Sequence, residues 1–289
     1  MPQATRDRPI DLHVHTTASD GDLSPRECVA AAAREGLAAI AITDHDTLAG
    51  NPEAAAAGRE FGVEVVPGVE VSCAHERFTI HLLGYYPDEG DARLAAMLSD
   101  LRSRREERNP KILARLAELG CPVDYNEVVE VAGGEVVGRP HIAAVMVRKG
   151  YVRSLDEAFD RYLARGAAAY VERAKPSVAE ALAVLRQARA VPVLAHPGTL
   201  GATDFAEIER LVAELAAQGL RGIEAHYHAH DPALTGKLVA LAERMGLLVT
   251  GGTDFHGSRK PDIALGRGLG NMHIPYEILE ALKRERANN

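Results

Sequence analysis

A chain of 289 residues is long enough to bury one barrel-sized core with room for an insertion. Its hydrophobic fraction of 46% and charged fraction of 26% are those of a soluble globular protein, and no apolar run approaches the roughly 20 residues that cross a bilayer. A net charge of −8 argues against a nucleic-acid coat protein, while three scattered cysteines (Cys28, Cys73, Cys121) and a polar start without a signal peptide's apolar centre point to a cytoplasmic protein with no membrane partner.

The first predicted element is a short strand, Ile10 to His15. A helix follows, with Ser24 at its N-cap, Pro25 at the first helical position and Glu27 completing a capping box; Gly36 is placed to end it. A strand over Ala38 to Thr43, apolar on both faces, stops at Asp44-His45-Asp46. A helix from Pro52 to Phe61 leads to strand signals at Val63 to Val66, Gly68 to Ser72 and Phe78 to Tyr85. Strands alternating with helices in this way predict a parallel sheet with crossover helices. From about Asp91 charged helical patterns take over, and short helices are predicted at Tyr125 to Ala132, Pro140 to Lys149 and Leu155 to Leu163. Strands return at Val191 to Ala195, Gly222 to Ala225 and Leu247 to Thr250, with helices between them at Val178 to Arg189, Ala206 to Gln218 and Pro232 to Met245. The chain is therefore expected to be an α/β barrel formed by residues 1–98 and 174–289, interrupted by a helical insertion at 99–173. The segment from Ser99 to Lys175 holds 14 Lys and Arg against 12 Asp and Glu, whereas the remainder holds 19 against 29. An acidic body carrying a more basic segment suits cations in the body and an anionic ligand under the segment.

In α/β barrels the active site forms at the C-terminal ends of the strands. Potential metal ligands recur there: His13 and His15, Asp44-His45, Glu70, His81, His196, Glu224 with His226, and Asp254 with His256. Residues two apart in a strand share a face, so His13 and His15 can serve one ion, as can Asp254 and His256. Asp20, in the loop after the first strand, lies within reach of the same mouth. Imidazole with carboxylate suits manganese, zinc or iron better than magnesium. A single strand-end histidine is ordinarily a hydrogen-bonded structural residue, which is the reading for His75 and His273; the same explanation repeated at every strand end of one barrel is a poor account of the whole set. His226, His228 and His230 either share one face of an extended strand or leave the last two in a solvated loop. Ser72 and Thr253 either orient ligands, donate to a phosphate or satisfy strand-end backbone.

These residues form motifs. His13-Val14-His15-Thr16 with Asp20-Gly21, Thr43-Asp44-His45-Asp46, Pro67-Gly68-Val69-Glu70, His81-Leu82-Leu83-Gly84, Ala195-His196-Pro197-Gly198 and Thr253-Asp254-Phe255-His256-Gly257 resemble, in order, those of the PHP (polymerase and histidinol phosphatase) superfamily. Gly138 to Ala143 and Ala158 to Leu163 are similar to the branch that contains nucleoside 3′,5′-bisphosphate phosphatases and 5′-to-3′ exoribonucleases. The resemblance implies a distorted (β/α)7 barrel, resembling a TIM barrel, with an inserted cap and two or three divalent ions, often manganese. One ion would take His13, His15, Glu70 and Asp254. A second would share Glu70 and add His81 and His196, and a third would take Asp20, His45 and His256. It further implies that Arg139, His141, Arg165 and Lys175 contact a small phosphorylated nucleotide or short RNA, with no DNA-binding module.

The expected activity is hydrolysis of the 3′-phosphate of a nucleoside 3′,5′-bisphosphate. Clustered cations bring bound water toward neutral pKa, and the hydroxide attacks phosphorus in line while the cations neutralise the phosphoryl oxygens. Asp254 is central to that site, and His196 or His228 is the candidate acid for the leaving oxygen. Rival readings are an exoribonuclease on short RNA, a histidinol-phosphate phosphatase, an amidohydrolase and a non-catalytic metal-binding regulator.

Overall fold

The computed structural model describes residues 7–133 and 137–288. Seven strands run in chain order around a nearly closed barrel: β1 Ile10–Val14, β2 Ala39–Ile42, β3 Glu64–Cys73, β4 Ile80–Tyr85, β5 Val191–Leu194, β6 Gly222–Tyr227 and β7 Leu248–Gly252. Beyond β7, Phe255 closes the ring, its carbonyl accepting from the His15 amide at 2.9 Å and its amide donating to the His13 carbonyl at 3.3 Å. A register shift between Asp11 and Val14 interrupts the alternation of β1: Ile10 and Leu12 pack with Ala41, Val66, Leu83 and Val193 of the other strands, whereas Val14 packs with Cys28 and Val29 of the following helix and His13 turns to Glu224.

The all-parallel expectation needs correction at β4. It pairs antiparallel with both β3 and β5, in register Ser72 with His81 and Leu82 with Leu194. The short turn after Cys73 forces this, because a parallel return needs a crossover of a dozen or more residues. Consequently His81 is the second residue of its strand, not a strand-end residue, and the reversal is what brings it to the same mouth as the C-terminal ends of the other strands. The two strand signals before it are one continuous β3.

The helices are α1 Pro25–Arg34, α2 Asn51–Phe61, α3 Ala92–Glu118, α4 Tyr125–Ala132, α5 Arg139–Arg148, the single turn α6 Leu155–Ala158, α7 Val178–Gln187, α8 Phe205–Ala217, α9 Pro232–Met245 and α10 Tyr276–Asn288. The capping box at Ser24 forms, its side chain accepting from the Glu27 amide. After α6 the chain widens into a π-helical turn over Phe159–Leu163. Position 99 falls inside the 27-residue α3. Its N-terminal part packs Leu94, Leu98 and Leu101 against the barrel, whereas Ile112, Leu113 and Leu116 join a separate apolar cluster with Val128, Ile142, Met146 and Leu163. Among the described residues no helix is long and apolar enough to cross a membrane.

Ring closure leaves no space at the end of β7. A Cβ added at Gly252 would overlap the backbone nitrogen and Cβ of His13, whereas one at Gly236, inside α9, would meet nothing within 4 Å. Gly252→Ala is expected to lower folding stability by about 3 kcal/mol, because backbone cannot yield as a side chain can. Gly236→Ala should raise it by up to about 1 kcal/mol through helix propensity. Urea denaturation of the two variants checks the pair.

Candidate metal centre

Glu70 is the middle of the site. It is 1% exposed and comes from the centre of β3. One oxygen, Oε1, lies 2.8 Å from His81 Nδ1 and 3.0 Å from His196 Nε2. The other, Oε2, lies 2.9 Å from His45 Nδ1, 3.2 Å from His15 Nε2 and 3.4 Å from His13 Nε2. Asp254 Oδ1 stands 3.2 Å from His15 Nε2 and 3.6 Å from His13 Nε2, and Asp20 approaches His256 at 3.4 Å and His45 at 3.9 Å. Nine predicted ligands therefore meet at one mouth. Three sets place one atom per residue within 4.8 Å of one another: His13, His15 and Asp254; His45, Glu70 and His81; and His15, Asp20, His45 and His256. These divisions differ from those implied by the motifs in three respects: His15 and His45 each fall in two sets, Glu70 is missing from the first, and His196 falls in none, although it lies 3.0 Å from Glu70.

The donor set fits divalent ions. His45 Nδ1 and Glu70 Oε2 are buried 2.9 Å apart, yet neither has a hydrogen-bond partner among the described residues. Two electron-rich atoms placed so closely without hydrogen-bond geometry are what a shared cation would reconcile. Nitrogen and oxygen donors without sulfur suit borderline divalent metals. Electrostatics show the same demand for positive charge: the carboxylates draw a proton onto His15, which a bound ion would displace. Burial opposes charge on His15, but hydrogen bonding to Asp254 and Glu70 and their charges lift its pKa to about 9. Burial dominates at His81 and His256, whose pKa values fall to about 4, leaving both neutral and able to ligate. His45 and His81 are 16% and 19% exposed at their side chains, so the cluster opens to solvent on that side.

Other strand-end groups orient this cluster. Glu224 accepts the His196 amide at 2.8 Å and lies 2.9 Å from His13 Nδ1, which directs His13 Nε2 toward Glu70. Asp44, counted among the candidate ligands, instead binds the amide and hydroxyl of Thr16 and the Ser19 hydroxyl at 2.6–2.8 Å, fixing the loop that carries Asp20. Thr253 donates through its amide and hydroxyl to Asp11. His226 joins no ligand set. The β6 strand ends at Tyr227; beyond it His230 accepts the Gly198 amide through Nε2 and pairs with the Ala225 carbonyl through Nδ1, a structural role. Half-buried His228 holds its ring tilted against that of Tyr227, with its Nε2 unpartnered among the described residues. Two residues at the mouth went unforeseen. Tyr227 donates to Asp254 Oδ2 at 3.0 Å, and Lys260 reaches the same oxygen at 2.6 Å. Neither has a local signal beyond closeness in sequence to the histidines. His196 and Asp254 both hold left-handed backbone, with φ of 30° and 54°, as does Asp46 at 57°; such strain is characteristic of functional sites.

Of the predicted substrate residues, three share a cavity that none of the nine ligands lines. Arg139, Arg165 and Lys175 line a cavity of about 1060 Å³, together with Arg173 and Tyr170. Arg139 donates to the Leu163 carbonyl, and Arg165 to the Glu76 carbonyl. His141 does not line that cavity. It is fully buried, accepts the Gly138 amide on Nδ1 and leaves Nε2 unpartnered. Ser72 donates its amide and hydroxyl to Asp46.

Asp254→Ala should cost the protein most of its bound metal, and Tyr227→Phe should weaken metal affinity by about tenfold, the usual effect of losing a group that orients a ligand. Elemental analysis after dialysis against graded chelator measures both; metal content unchanged in the Asp254 variant would overturn the ligand assignment.

A PHP domain model matches residues 11–172. A 3′,5′-nucleoside bisphosphate phosphatase from Chromobacterium violaceum is 36% identical, the alignment spanning 96% of this chain and 95% of the relative. A 5′-3′ exoribonuclease from Haemophilus influenzae is 34% identical over 85% of this chain and 89% of that protein. A crystal structure from Bifidobacterium adolescentis, assigned as a metal-dependent phosphoesterase, superimposes with a TM-score of 0.86 at 30% identity, covering 96% of each chain. The chain belongs to the PHP domain family of metal-dependent phosphoesterases.

Proposed function

We propose that this enzyme removes the 3′-phosphate from nucleoside 3′,5′-bisphosphates, with manganese as the working ion and the cytoplasm as its location. The observation that carries the reading is an acidic, histidine-rich mouth linked through Asp46, which follows His45 and binds Arg173, to a cavity rimmed by Arg139, Arg173 and Lys175. The similarity to the Chromobacterium violaceum phosphatase supports it, and the three free, buried cysteines suit a reducing compartment. Helices of the 99–173 segment act as the cap over the substrate.

The ions supply a nucleophilic water near neutral pH and neutralise the phosphoryl oxygens. The chain's own residues do the rest. His13, His15, Asp20, His45, Glu70, His81, His196, Asp254 and His256 hold the ions. Tyr227 and Lys260 keep Asp254 ionised and aimed, its carboxyl held far below the usual range despite burial, with Lys260 the leading charge. Of the two candidate acids, His196 has both nitrogens engaged, by Glu70 and by the Thr199 hydroxyl. His228 retains a free Nε2 and is assigned the proton donated to the leaving oxygen. Arg139, Arg165 and Lys175 clamp the phosphate that is not cleaved, Ser72 keeps Asp46 in place, and buried His141 offers Nε2 toward the substrate.

Phosphate release from adenosine 3′,5′-bisphosphate, histidinol phosphate and a 5′-phosphorylated oligoribonucleotide, each with manganese, tests the substrate. Fastest turnover of the bisphosphate is expected; fastest turnover of the oligonucleotide would favour the second reading, exoribonuclease, which the Haemophilus influenzae relative and the open cavity support. Arg139→Ala should raise KM about 10-fold or more with little change in kcat, as the loss of a charged hydrogen bond to bound phosphate requires.

Lys175 gives a pH signature. Burial, then the charges of Arg173 and Arg139, lower its pKa to about 8. A lysine is charged below its pKa, so the clamp is complete at pH 7 and weakens as pH rises through 8. KM for the bisphosphate should therefore climb above pH 8, and in Lys175→Met that limb should disappear into a uniformly higher KM. A wild-type KM that stays flat to pH 9 would remove Lys175 from the clamp.

A further inference from the structure

Beyond His256 the chain makes a tightly held turn. The single 3-10 turn Gly257–Arg259 follows β7, and Asp22, in the loop after β1, accepts the Ser258 amide at 2.8 Å together with the Ser258 hydroxyl. Gly257 holds a left-handed φ of 68°, and a Cβ there would overlap Asp22. The turn sends two consecutive side chains in different directions. Lys260 turns in to Asp254, whereas Arg259 reaches the inserted helices and donates to the Val131 carbonyl at 2.9 Å, in the last turn of α4. A cation suits the negative end of a helix. Burial opposes the charge of Arg259, Asp20 and Asp22 favour it, and its Nε is buried with no partner among the described residues.

Arg259 ties the cap to the barrel on the β7 side of the mouth. Among the described residues the other side-chain ties lie at Asp46, which takes Arg102, Arg105 and Arg173, and at the β3–β4 turn, where Arg165 donates to the Glu76 carbonyl. Seven strands in chain order, closed from β7 onto β1, put that turn opposite β7. The cap has an apolar cluster of its own, and Pro110 interrupts α3 between the residues packed on the barrel and those in that cluster. A proline there removes a helical hydrogen bond and lets the helix bend. The cap can therefore tilt away on the β7 side by giving up the Arg259 hydrogen bond. Burial, then the charge of Arg259, lowers the pKa of His141 to about 4, and Asp20 and His256 act on the same ring. Closure thus sets the cap over the Asp20 and His256 ligands.

The cavity rimmed by Arg139 and Lys175 is walled by the β3–β4 turn, through Ala74 and Thr79. A nucleotide reaching from that cavity to the ligand cluster would, as part of a longer chain, continue toward the far side, where Arg259 crosses from barrel to cap. We propose that Arg259 is a specificity-determining strut: it holds the cap shut on the β7 side, so that the mouth takes single nucleotides and turns away RNA chains. This rests on reading the barrel mouth as the phosphoesterase site and deepens that reading by naming what limits substrate length. The apparent affinity for a chain is its affinity for the open form reduced by the fraction open, so the strut discriminates without touching the substrate.

The test compares wild type with Arg259→Met, which keeps a long side chain and removes the donors. Turnover of adenosine 3′,5′-bisphosphate is set against that of a 5′-phosphorylated decaribonucleotide, both with manganese. In Arg259→Met, kcat/KM for the decaribonucleotide should rise by about 10-fold or more, the shift in open population that loss of a charged hydrogen bond allows, while that for the bisphosphate does not rise. Arg259→Lys, which keeps a charged donor, should restore part of the discrimination. A wild type that already cleaves the decaribonucleotide as fast as the bisphosphate, or a ratio unchanged in Arg259→Met, would overturn the proposal. Hydrogen exchange read by mass spectrometry is independent of turnover: without ligand, amides of α4 and α5 should exchange about 10-fold faster in Arg259→Met, and those of the barrel strands at unchanged rates. Equal acceleration in cap and barrel means general destabilisation and refutes the strut. If wild type cleaves neither substrate, the reaction assignment fails, and fluorescence anisotropy of the labelled, uncleaved decaribonucleotide decides the strut: tighter binding by Arg259→Met supports it and equal binding sinks it. Should Arg259→Met not fold, Arg259→Lys must show a smaller rise in the same ratio, or the proposal falls.

Discussion

Glu70 sets the terms for the rest of the structure. A single carboxylate at 1% exposure has five imidazole nitrogens within 3.4 Å, drawn from β1, the end of β2, β4 and the segment after β5. A buried charge of that kind is strongly unfavourable unless its surroundings are arranged for it, so closure of the barrel and assembly of the cluster are one event. The left-handed backbone at His196 and Asp254 follows from the same demand. Their side chains have to turn inward immediately after a strand ends, and the polar network over-determines the conformation. Closure is tightest where β7 meets β1, at Gly252 and His13, where ligand and seam share the same atoms.

Asp46 is the second point of control. It follows His45, yet its carboxylate faces the other way, accepting from Arg105 of α3 and Arg173, while the Ser72 amide of β3 donates to its other oxygen. Burial would raise its pKa, but the two guanidinium groups hold it far below the usual carboxylate range. One turn of chain therefore joins a candidate metal ligand to the cationic side of the molecule. Displacement of the guanidiniums would be felt at His45, and the exposed edge of the ligand cluster is the edge that His45 and His81 form.

Spacing made much of this legible. Histidines two apart in a strand, an Asp-His pair after the next strand and a Glu in the middle of β3 announce one mouth, because strand periodicity assigns faces without knowledge of the fold. The order of elements was legible for the same reason, except at β4, where two apolar strand signals joined by a short turn say nothing about direction until pairing is considered. What spacing conceals is which carboxylates ligate and which support. Asp44 and Glu224 occupy strand ends as Asp254 does, but their oxygens are taken by Thr16 and Ser19, and by His13 and the His196 amide. That distinction resides in hydrogen bonds between residues up to 211 positions apart. Tyr227 and Lys260 were hidden for a different reason: each acts on Asp254 from a position with no periodic signature. The C-terminal helix α10, which packs Tyr276, Leu279 and Leu282 under the barrel, lies beyond the last predicted strand and outside the alternation of strands and helices.

The two halves of the charge distribution divide the labour. Carboxylates gathered inside the barrel make a field that retains cations, and guanidinium groups gathered on the long helix and the strand-like segment leading into α7 make one that retains anions. On the proposed function a phosphoester lies across the boundary, with its reacting phosphorus toward the first and any further phosphate toward the second. The ligand cluster is fixed by strand geometry and tolerates little change. The cationic side is built from long side chains on α3, α5 and the 164–175 segment, whose tips can be shortened, neutralised or moved without disturbing the barrel. Relatives named as a mononucleotide-scale phosphatase and as an exoribonuclease align with this chain over nearly the same span, insertion included. Side chains on such a shared backbone, like Arg105 and Arg173 on Asp46, can change without a change of barrel.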